Sequence, residues 1–365
     1  MSTTMNQAAN SLNIFEQIGA NNHEQVVFCN DPASGLKSII AIHNTTCGPA
    51  LGGTRFWNYA NDAEALRDVL RLSRGMTYKA AISGLNLGGG KAVIIGNSYT
   101  DKSEALWRRY GKFVNGLAGR YITAEDVGTA KEDMEYIAME TKHVTGVPEY
   151  MGGSGDPSPV TAYTTYLGMK ASAKKVFGND SLSGKVVAVQ GAGHVAQYLI
   201  GHLVKDGAIV HVCDINNDKV AAVVKEHGVK VVDADAIYDL KMDIYSPCAM
   251  GATVNDATLK RLTCSIIAGC ANNQLEDEKI HGQQVKDMGI VYAPDFLINA
   301  GGLINVATER EGYNRERAMG KAEQVYKRTL DIFAKADAEN LTNQAAAILI
   351  AEQRIKQLAK LKSSL

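Results

Sequence analysis

Two lysines flank a glycine run: Lys79 ends Arg74-Gly75-Met76-Thr77-Tyr78-Lys79, and Lys91 follows Gly88-Gly89-Gly90. A lone lysine is ordinarily a solvated surface charge. These two have small or apolar neighbours, Ala80-Ala81-Ile82 beside one and Ala92 to Ile95 beside the other. An amine held in such surroundings loses solvation, which favours its neutral form, and a second cation nearby adds to that. Such an amine is a usable general base, while the other lysine can hold a substrate carboxylate as a compact point charge. Asp126, in Thr123-Ala124-Glu125-Asp126-Val127-Gly128, follows a short apolar run, where a carboxylate can serve the same chemistry. A helix N-cap is its other reading. The lysines suit a small acid substrate.

A second signal lies further along, in Gly191-Ala192-Gly193-His194-Val195-Ala196. The pattern alone is weak, but here it follows the apolar Val186 to Val189 and opens a helical stretch, His194 to Lys205, as dinucleotide binding requires. Gly191 permits a tight turn, Gly193 lets the backbone approach a pyrophosphate, and Ala196 lets helix and strand pack closely. The N-terminal amides at His194 and Val195 present unpaired N–H groups and a partial positive charge to the phosphates. Asp214 ends the next apolar run, 21 residues after Gly193. A carboxylate there binds both ribose hydroxyls and repels a 2′-phosphate, so NAD is the expected cofactor rather than NADP. The other reading is a Rossmann-like domain that binds no dinucleotide.

The elements that must position these groups fall in two parts. Val26-Val27-Phe28 and Ser38 to Ile42, with Asp31-Pro32-Ala33-Ser34-Gly35 between them, read as a β-hairpin. Asn61 with Glu64 forms a capping box, and Leu66, Val69, Leu70, Ser73, Met76, Thr77 and Ala80 fall at helical spacing. That helix should end near Gly84, with Lys79 in its last turns. Gly88 to Gly90 read as a loop, Ala92 to Ile95 as a buried strand, Glu104 to Leu117 as a helix and Tyr121 to Ala124 as a short strand. Gly152-Gly153-Ser154-Gly155-Asp156-Pro157-Ser158-Pro159 is the clearest linker. After a helix over Val160 to Phe177, strands and helices alternate from Lys185 to Ala293, which predicts a parallel, doubly wound sheet. Thr342 to Leu358 is an amphipathic helix that packs on the first domain or on another subunit.

The 365 residues allow two domains and a sizeable core. With 45% hydrophobic and 21% charged residues, the chain should be globular and soluble. A formal net charge of −1 and only 7% aromatic residues argue against a nucleic-acid binder, and no apolar run is long enough for a membrane span. Met1 to Ser11 lack the apolar core of a secretory signal. Cys29, Cys47, Cys213, Cys248, Cys264 and Cys270 are scattered without a Cys-x-x-Cys, as expected for reduced buried thiols of a cytoplasmic protein. No metal site is expected from the spacing of His, Cys and carboxylates.

Gly48-Pro49-Ala50-Leu51-Gly52-Gly53-Thr54-Arg55, Met76 to Lys79, Gly88-Gly89-Gly90-Lys91, Ala124-Glu125-Asp126, Gly155 to Thr161 and Ala271-Asn272-Asn273-Gln274 together resemble the amino acid dehydrogenase superfamily of glutamate, leucine, phenylalanine and valine dehydrogenases. Within it the leucine dehydrogenase branch is the nearest match, over nearly the whole chain. The resemblance implies an α/β fold of two domains with a cleft between them. An N-terminal α/β substrate domain spans 1–150, completed by the C-terminal helix 340–365, and a Rossmann-like NAD-binding domain spans 151–339. It implies that Lys79, helped by Asn273, holds the substrate α-carboxylate. Lys91 activates water against an imino carbon, Asp126 shuttles protons at the amino group, and Thr161 positions the nicotinamide amide. The reaction implied is reversible: L-amino acid, NAD⁺ and water give 2-oxo acid, ammonia and NADH. The family is usually multimeric, so a homo-oligomer, an octamer or a dimer, is expected.

Leu51 discriminates among substrates. The glutamate branch is expected to carry a lysine there for the γ-carboxylate, and leaving that charge buried without a partner costs several kcal/mol. Gly52, Ala124, Leu303 and Val306 are the further expected substrate contacts. Leu303 and Val306 lie three apart on an expected helix after Asn299-Ala300-Gly301-Gly302 and share a face, the other reading being core packing. An aliphatic pocket points to leucine, isoleucine and valine. The leucine branch usually carries valine where Leu303 stands, and the lost methylene of space is worth only about 1–3 kcal/mol, so discrimination among these three should be partial. A phenylalanine or tryptophan dehydrogenase is the rival within the family, and an inactive NAD-binding sensor the rival outside it.

Overall fold

The computed structural model describes residues 13–362. It divides into two compact units: the chain up to Thr77 with Leu87–Thr145, and Tyr78–Asn86 with the chain from Gly146 onward.

The first unit runs α1 (Ile14–Ala20), β1 (Gln25–Asp31), β2 (Leu36–Asn44), β3 (Ala50–Leu51), β4 (Thr54–Trp57), most of α2 (Asp62–Ile82), β5 (Gly88–Ile95), α3 (Glu104–Gly116), β6 (Tyr121–Ile122) and α4 (Lys131–Ala138). β1 and β2 form the antiparallel hairpin. The sheet order is β1-β2-β5-β3-β6, with β4 also paired to β5. β5 is therefore central, with β2 antiparallel on one edge and β3 and β4 parallel on the other. Helix α2 starts where the Asn61 side chain accepts from Glu64 N at 2.9 Å and the Glu64 carboxylate accepts from Ala60 N at 2.7 Å. It closes through Gly84, whose φ of +72° suits glycine, as Leu85 N donates to Ala80 O. Its Ala65, Leu66, Val69 and Leu70 pack on Ile39, Ala41 and Val93 of the sheet. Burying each large aliphatic side chain there contributes roughly 1.5–3 kcal/mol.

The run Gly88 to Gly90 is the beginning of β5, not a loop. A Cβ on Gly89 would stand 2.1 Å from Thr77 N, and one on Gly52 would stand 1.8 Å from Gly90 O. Glycine here serves close approach, bringing α2 and the neighbouring strand onto β5 backbone to backbone.

The second unit holds α5 (Ser158–Phe177), β7 (Val186–Gln190), α6 (His194–Lys205), β8 (Ile209–Cys213), α7 (Asn217–His227), β9 (Lys230–Val231), β10 (Ile244–Pro247), α8 (Asp256–Leu259), β11 (Ile266–Ile267), α9 (Ile280–Asp287), β12 (Val291–Tyr292), α10 (Asp295–Ile298), α11 (Gly301–Glu309), α12 (Arg315–Glu339) and α13 (Asn343–Lys362). Its six strands are all parallel, in the order β12-β11-β10-β7-β8-β9. This is the doubly wound order, and its direction reverses between β7 and β10. The C-terminal helix α13 lies in this unit. It packs along α12, Tyr78 donates to Glu352 at 3.3 Å, and Arg354 donates to Leu85 O at 2.7 Å. Its intramolecular partners include α12, β12, where Asn343 donates to Tyr292 O at 2.9 Å, and the segment after Thr77, which falls in the same unit. Among the described residues no helix is long and apolar enough to cross a membrane.

Candidate active site

In the first unit, β5 carries Lys91, whose side chain is almost wholly buried at 6% exposure. Its Nζ donates to Asp126 Oδ1 at 2.7 Å, and Arg55 Nε donates to Asp126 Oδ2 at 2.9 Å. Asp126 lies beyond β6 and does not cap α4, whose N-cap is Ala130. Its backbone is fixed instead by Thr129, whose hydroxyl accepts from Asp126 N at 2.8 Å. Burial alone would push this carboxyl up, but Lys91 and Arg55 outweigh it and hold it below the usual carboxylate range. Arg55 is itself anchored, donating through Nη1 to Asp68 at 2.9 Å, while the Tyr59 hydroxyl donates to the same oxygen at 2.8 Å. The result is an ionised carboxylate between two cations, oriented by a guanidinium that cannot swing away.

In the second unit, Lys79 Nζ donates to Asn299 Oδ1 at 2.7 Å. The Asn299 amide then donates to Asn272 Oδ1 at 2.8 Å and to Cys270 O at 3.2 Å. Lys79 is thereby tied to the 270–273 segment through Asn299. Asn273, the residue expected to help Lys79, is exposed beside Asn272, in a left-handed conformation with φ of +52°. Nearby Asp295 accepts from Gln274 N at 3.1 Å and Phe296 N at 2.7 Å, and burial pushes its carboxyl up.

The dinucleotide turn sits at the reversal of strand order. Gly191 follows β7 with φ of +116°, and a Cβ there would meet Ala249 N at 2.8 Å. Gly193 caps α6 with no side-chain hydrogen bond, and a Cβ built on it would meet nothing within 4 Å. The first turn of α6 thus carries no side-chain cap at Gly193, and its N-terminal amides are the groups that would meet a pyrophosphate. Asp214, after β8, accepts from Ala192 N at 2.7 Å and from Asn216 N at 2.8 Å. Each carboxylate oxygen keeps a lone pair for a ribose hydroxyl. These residues fit a dinucleotide without adjustment.

The expected pocket walls divide between the units. Leu51 on β3, 2% exposed, and Ala124 beyond β6 are buried in the first unit. Gly52 accepts from the Tyr121 hydroxyl at 2.6 Å through its carbonyl. In the second unit Leu303 is buried on α11 and Val306 half-buried one turn on. Thr161, in the first turn of α5, donates to Pro157 O at 2.9 Å, and a Cβ on Gly302 would stand 3.2 Å from its hydroxyl. Among the described residues no group of three or more His, Cys, Asp or Glu is arranged to hold a metal ion.

Residues 23–143 match the family model described as Glu/Leu/Phe/Val dehydrogenase, dimerisation domain, and residues 152–234 and 209–359 match that of Glutamate/Leucine/Phenylalanine/Valine dehydrogenase. The chain belongs to this dehydrogenase family. It is 55% identical to the leucine dehydrogenase of Thermoactinomyces intermedius over 97% of this chain and 96% of that one. Identity to the phenylalanine dehydrogenase of the same organism is 47%, over 96% of each chain. The crystal structure of L-tryptophan dehydrogenase from Nostoc punctiforme superposes with a TM-score of 0.84 at 44% identity, covering 95% of this chain and 99% of that one.

Two residues that the structure ties to the expected lysines carried no role in the sequence reading. Arg55 closes the glycine motif, and only its contact with Asp126 marks it. Asn299 precedes the Ala300-Gly301-Gly302 step and is buried, so a polar side chain ahead of paired glycines was the available signal.

Proposed function

We propose that the protein catalyses the reversible, NAD-dependent oxidative deamination of the branched-chain L-amino acids leucine, isoleucine and valine to 2-oxo acids and ammonia. The observation that carries this is the identity to leucine dehydrogenase, 55% against 47% to the phenylalanine enzyme of the same organism. The buried Leu51 adds to it, because it offers a substrate γ-carboxylate no counter-charge.

NAD⁺, when bound, supplies the hydride acceptor. Gly191, Gly193, the amides of His194 and Val195, and Asp214 hold it, and Thr161 positions its amide. Lys79 pairs with the substrate α-carboxylate, with Asn273 alongside. Lys91 exchanges a proton with Asp126 across their 2.7 Å hydrogen bond and takes one from the water that attacks the imino carbon. Asp126 carries protons to and from the substrate nitrogen. Leu51, Gly52, Ala124, Leu303 and Val306 shape the side-chain pocket. The protein acts in the cytoplasm as a homo-oligomer, a dimer or an octamer, in keeping with the dimerisation domain matched over residues 23–143.

The likeness to L-tryptophan dehydrogenase supports a second reading, an aromatic substrate. NADH formation from NAD⁺ at alkaline pH, with leucine, isoleucine, valine, phenylalanine, tryptophan and glutamate in parallel, separates the two. Turnover of the branched-chain set without glutamate supports the proposal, and preference for phenylalanine or tryptophan replaces it. Silence across the panel with NADH still bound makes the protein a sensor.

A further inference from the structure

Cys248 and Cys270 stand at the ends of neighbouring parallel strands. Ile244 pairs with Ile266 and Tyr245 with Ile267, and the two strands then run on to Cys248 and Cys270. Beyond these pairs the ladder slips by one residue: Ala268 N donates to Tyr245 O, and then Ala271 N, not Cys270 N, donates to Pro247 O, both at 3.0 Å. The Cys270 thiol donates to Cys248 O at 3.9 Å. Ser246 Oγ is 3.3 Å from the Cys248 sulfur. Both cysteines are free thiols.

The two thiols are unequal. Burial would push Cys248 up, but the hydrogen bonds from Cys270 and Ser246 outweigh it and bring this thiol below its ordinary value. Cys270, bonded to Cys248 and buried, is held well above. An attacking thiol beside a resolving one has this asymmetry. The pair also touches both halves of the dinucleotide unit's chemistry. Cys248 N donates to Gln190 O at 2.8 Å, and a Cβ on Gly191 would stand 2.9 Å from the Cys248 carbonyl carbon. Cys270 O accepts from Asn299, the partner of Lys79.

We propose that Cys248 and Cys270 form a dithiol modification site that reacts with a two-electron oxidant of the peroxide class and closes to a reversible disulfide that arrests turnover. The Cys248 thiolate attacks the peroxide O–O bond, becoming a sulfenic acid as hydroxide leaves. The Cys270 sulfur displaces the sulfenic hydroxyl and forms the S–S bond. Two thiols lose two electrons and two protons, and the peroxide becomes two waters. Closing the sulfurs to about 2.05 Å draws the two strand ends together beside Gly191 and Asn299. A misplacement on the order of 1 Å near the reacting centre costs roughly 100-fold in rate. Only the arrest rests on the dehydrogenase reading.

The test treats the full chain with hydrogen peroxide, maps disulfides by mass spectrometry without reduction, and follows NADH formation before and after dithiothreitol. A Cys248–Cys270 cross-link, with turnover falling on that order and returning on reduction, is the expected result. Cys270→Ser should yield a dimedone adduct at Cys248 in place of the cross-link. Cross-links elsewhere, no cross-link, or a cross-linked chain of full activity would overturn the proposal. The mapping needs no activity, so an inactive chain that forms this bond supports the site and counts against the dehydrogenase reading.

Discussion

Lys79 and Asn299 are joined by a 2.7 Å hydrogen bond across 220 positions of sequence. The ammonium is thus pre-aimed by an amide that is itself fixed to Asn272 and to Cys270 O. A hydrogen bond to a charged group is worth about 1.5–3 kcal/mol. Asn299→Ala should therefore raise KM for the amino acid by roughly 10- to 100-fold and leave NADH binding alone. Steady-state kinetics with a parallel NADH fluorescence titration reads both, and an unchanged KM removes Asn299 from substrate binding.

Lys91→Ala should nearly abolish turnover, since a positioned base contributes about 10²–10⁴-fold. NADH should bind as before, because Lys91 and the dinucleotide turn belong to separate units. Asp126→Asn should behave alike. Normal turnover in either variant takes that residue out of the mechanism.

Asp214→Ala should weaken NAD⁺ and relax the exclusion of NADP⁺. The carboxylate both accepts from a ribose diol and repels a 2′-phosphate. The ratio of kcat/KM for the two cofactors is the measurement, and an unaltered ratio refutes the ribose assignment.

His43 predicts a pH-dependent stability. Its Nε2 lies 2.9 Å from Asn21 O, which only accepts, so Nε2 carries the hydrogen and Nδ1 accepts from Thr77 at 2.8 Å. Burial first, then repulsion from His23, lowers its pKa from 6.5 to about 4. The unfolded chain binds this proton between those values and the folded chain does not, so stability falls as pH drops through that window and levels off below it. At 1.36 kcal/mol per pH unit the loss is about 3 kcal/mol. Denaturant unfolding from pH 7 to 4 should show it, with a smaller loss in His43→Gln. Equal losses in both chains would assign the effect elsewhere.

The sequence was legible wherever the determinant was local. Helix α6 runs from His194 to Lys205, where the glycine turn was expected to open it, and the hairpin pairs Gln25–Asp31 with Leu36–Asn44. The alternation from Lys185 onward resolved into a parallel sheet of doubly wound order. Lys91 and Asp126 were singled out separately, and the fold joins them. Gly88 to Gly90 misled, because three glycines report backbone freedom and cannot say whether it is used for turning or for close approach. Arg55 and Asn299 were silent for another reason. Their partners lie 71 and 220 positions away, and no periodicity encodes which distant side chain a polar group meets.

The backbone contacts at Gly52 and Gly89 partition how this enzyme can diversify. Any side chain at either position must displace backbone atoms of Gly90 or Thr77. Overpacking of this kind costs about 1–3 kcal/mol or more before chemistry is considered. A saturation library should therefore show these positions as fixed although no side chain there touches a substrate. Leu51, Ala124, Leu303 and Val306 meet their surroundings through side chains, so exchanges of size remain open to them. If those four positions line the substrate's side chain as proposed, directed evolution of specificity has its accessible routes through them, while Gly52 and Gly89 stay closed to change.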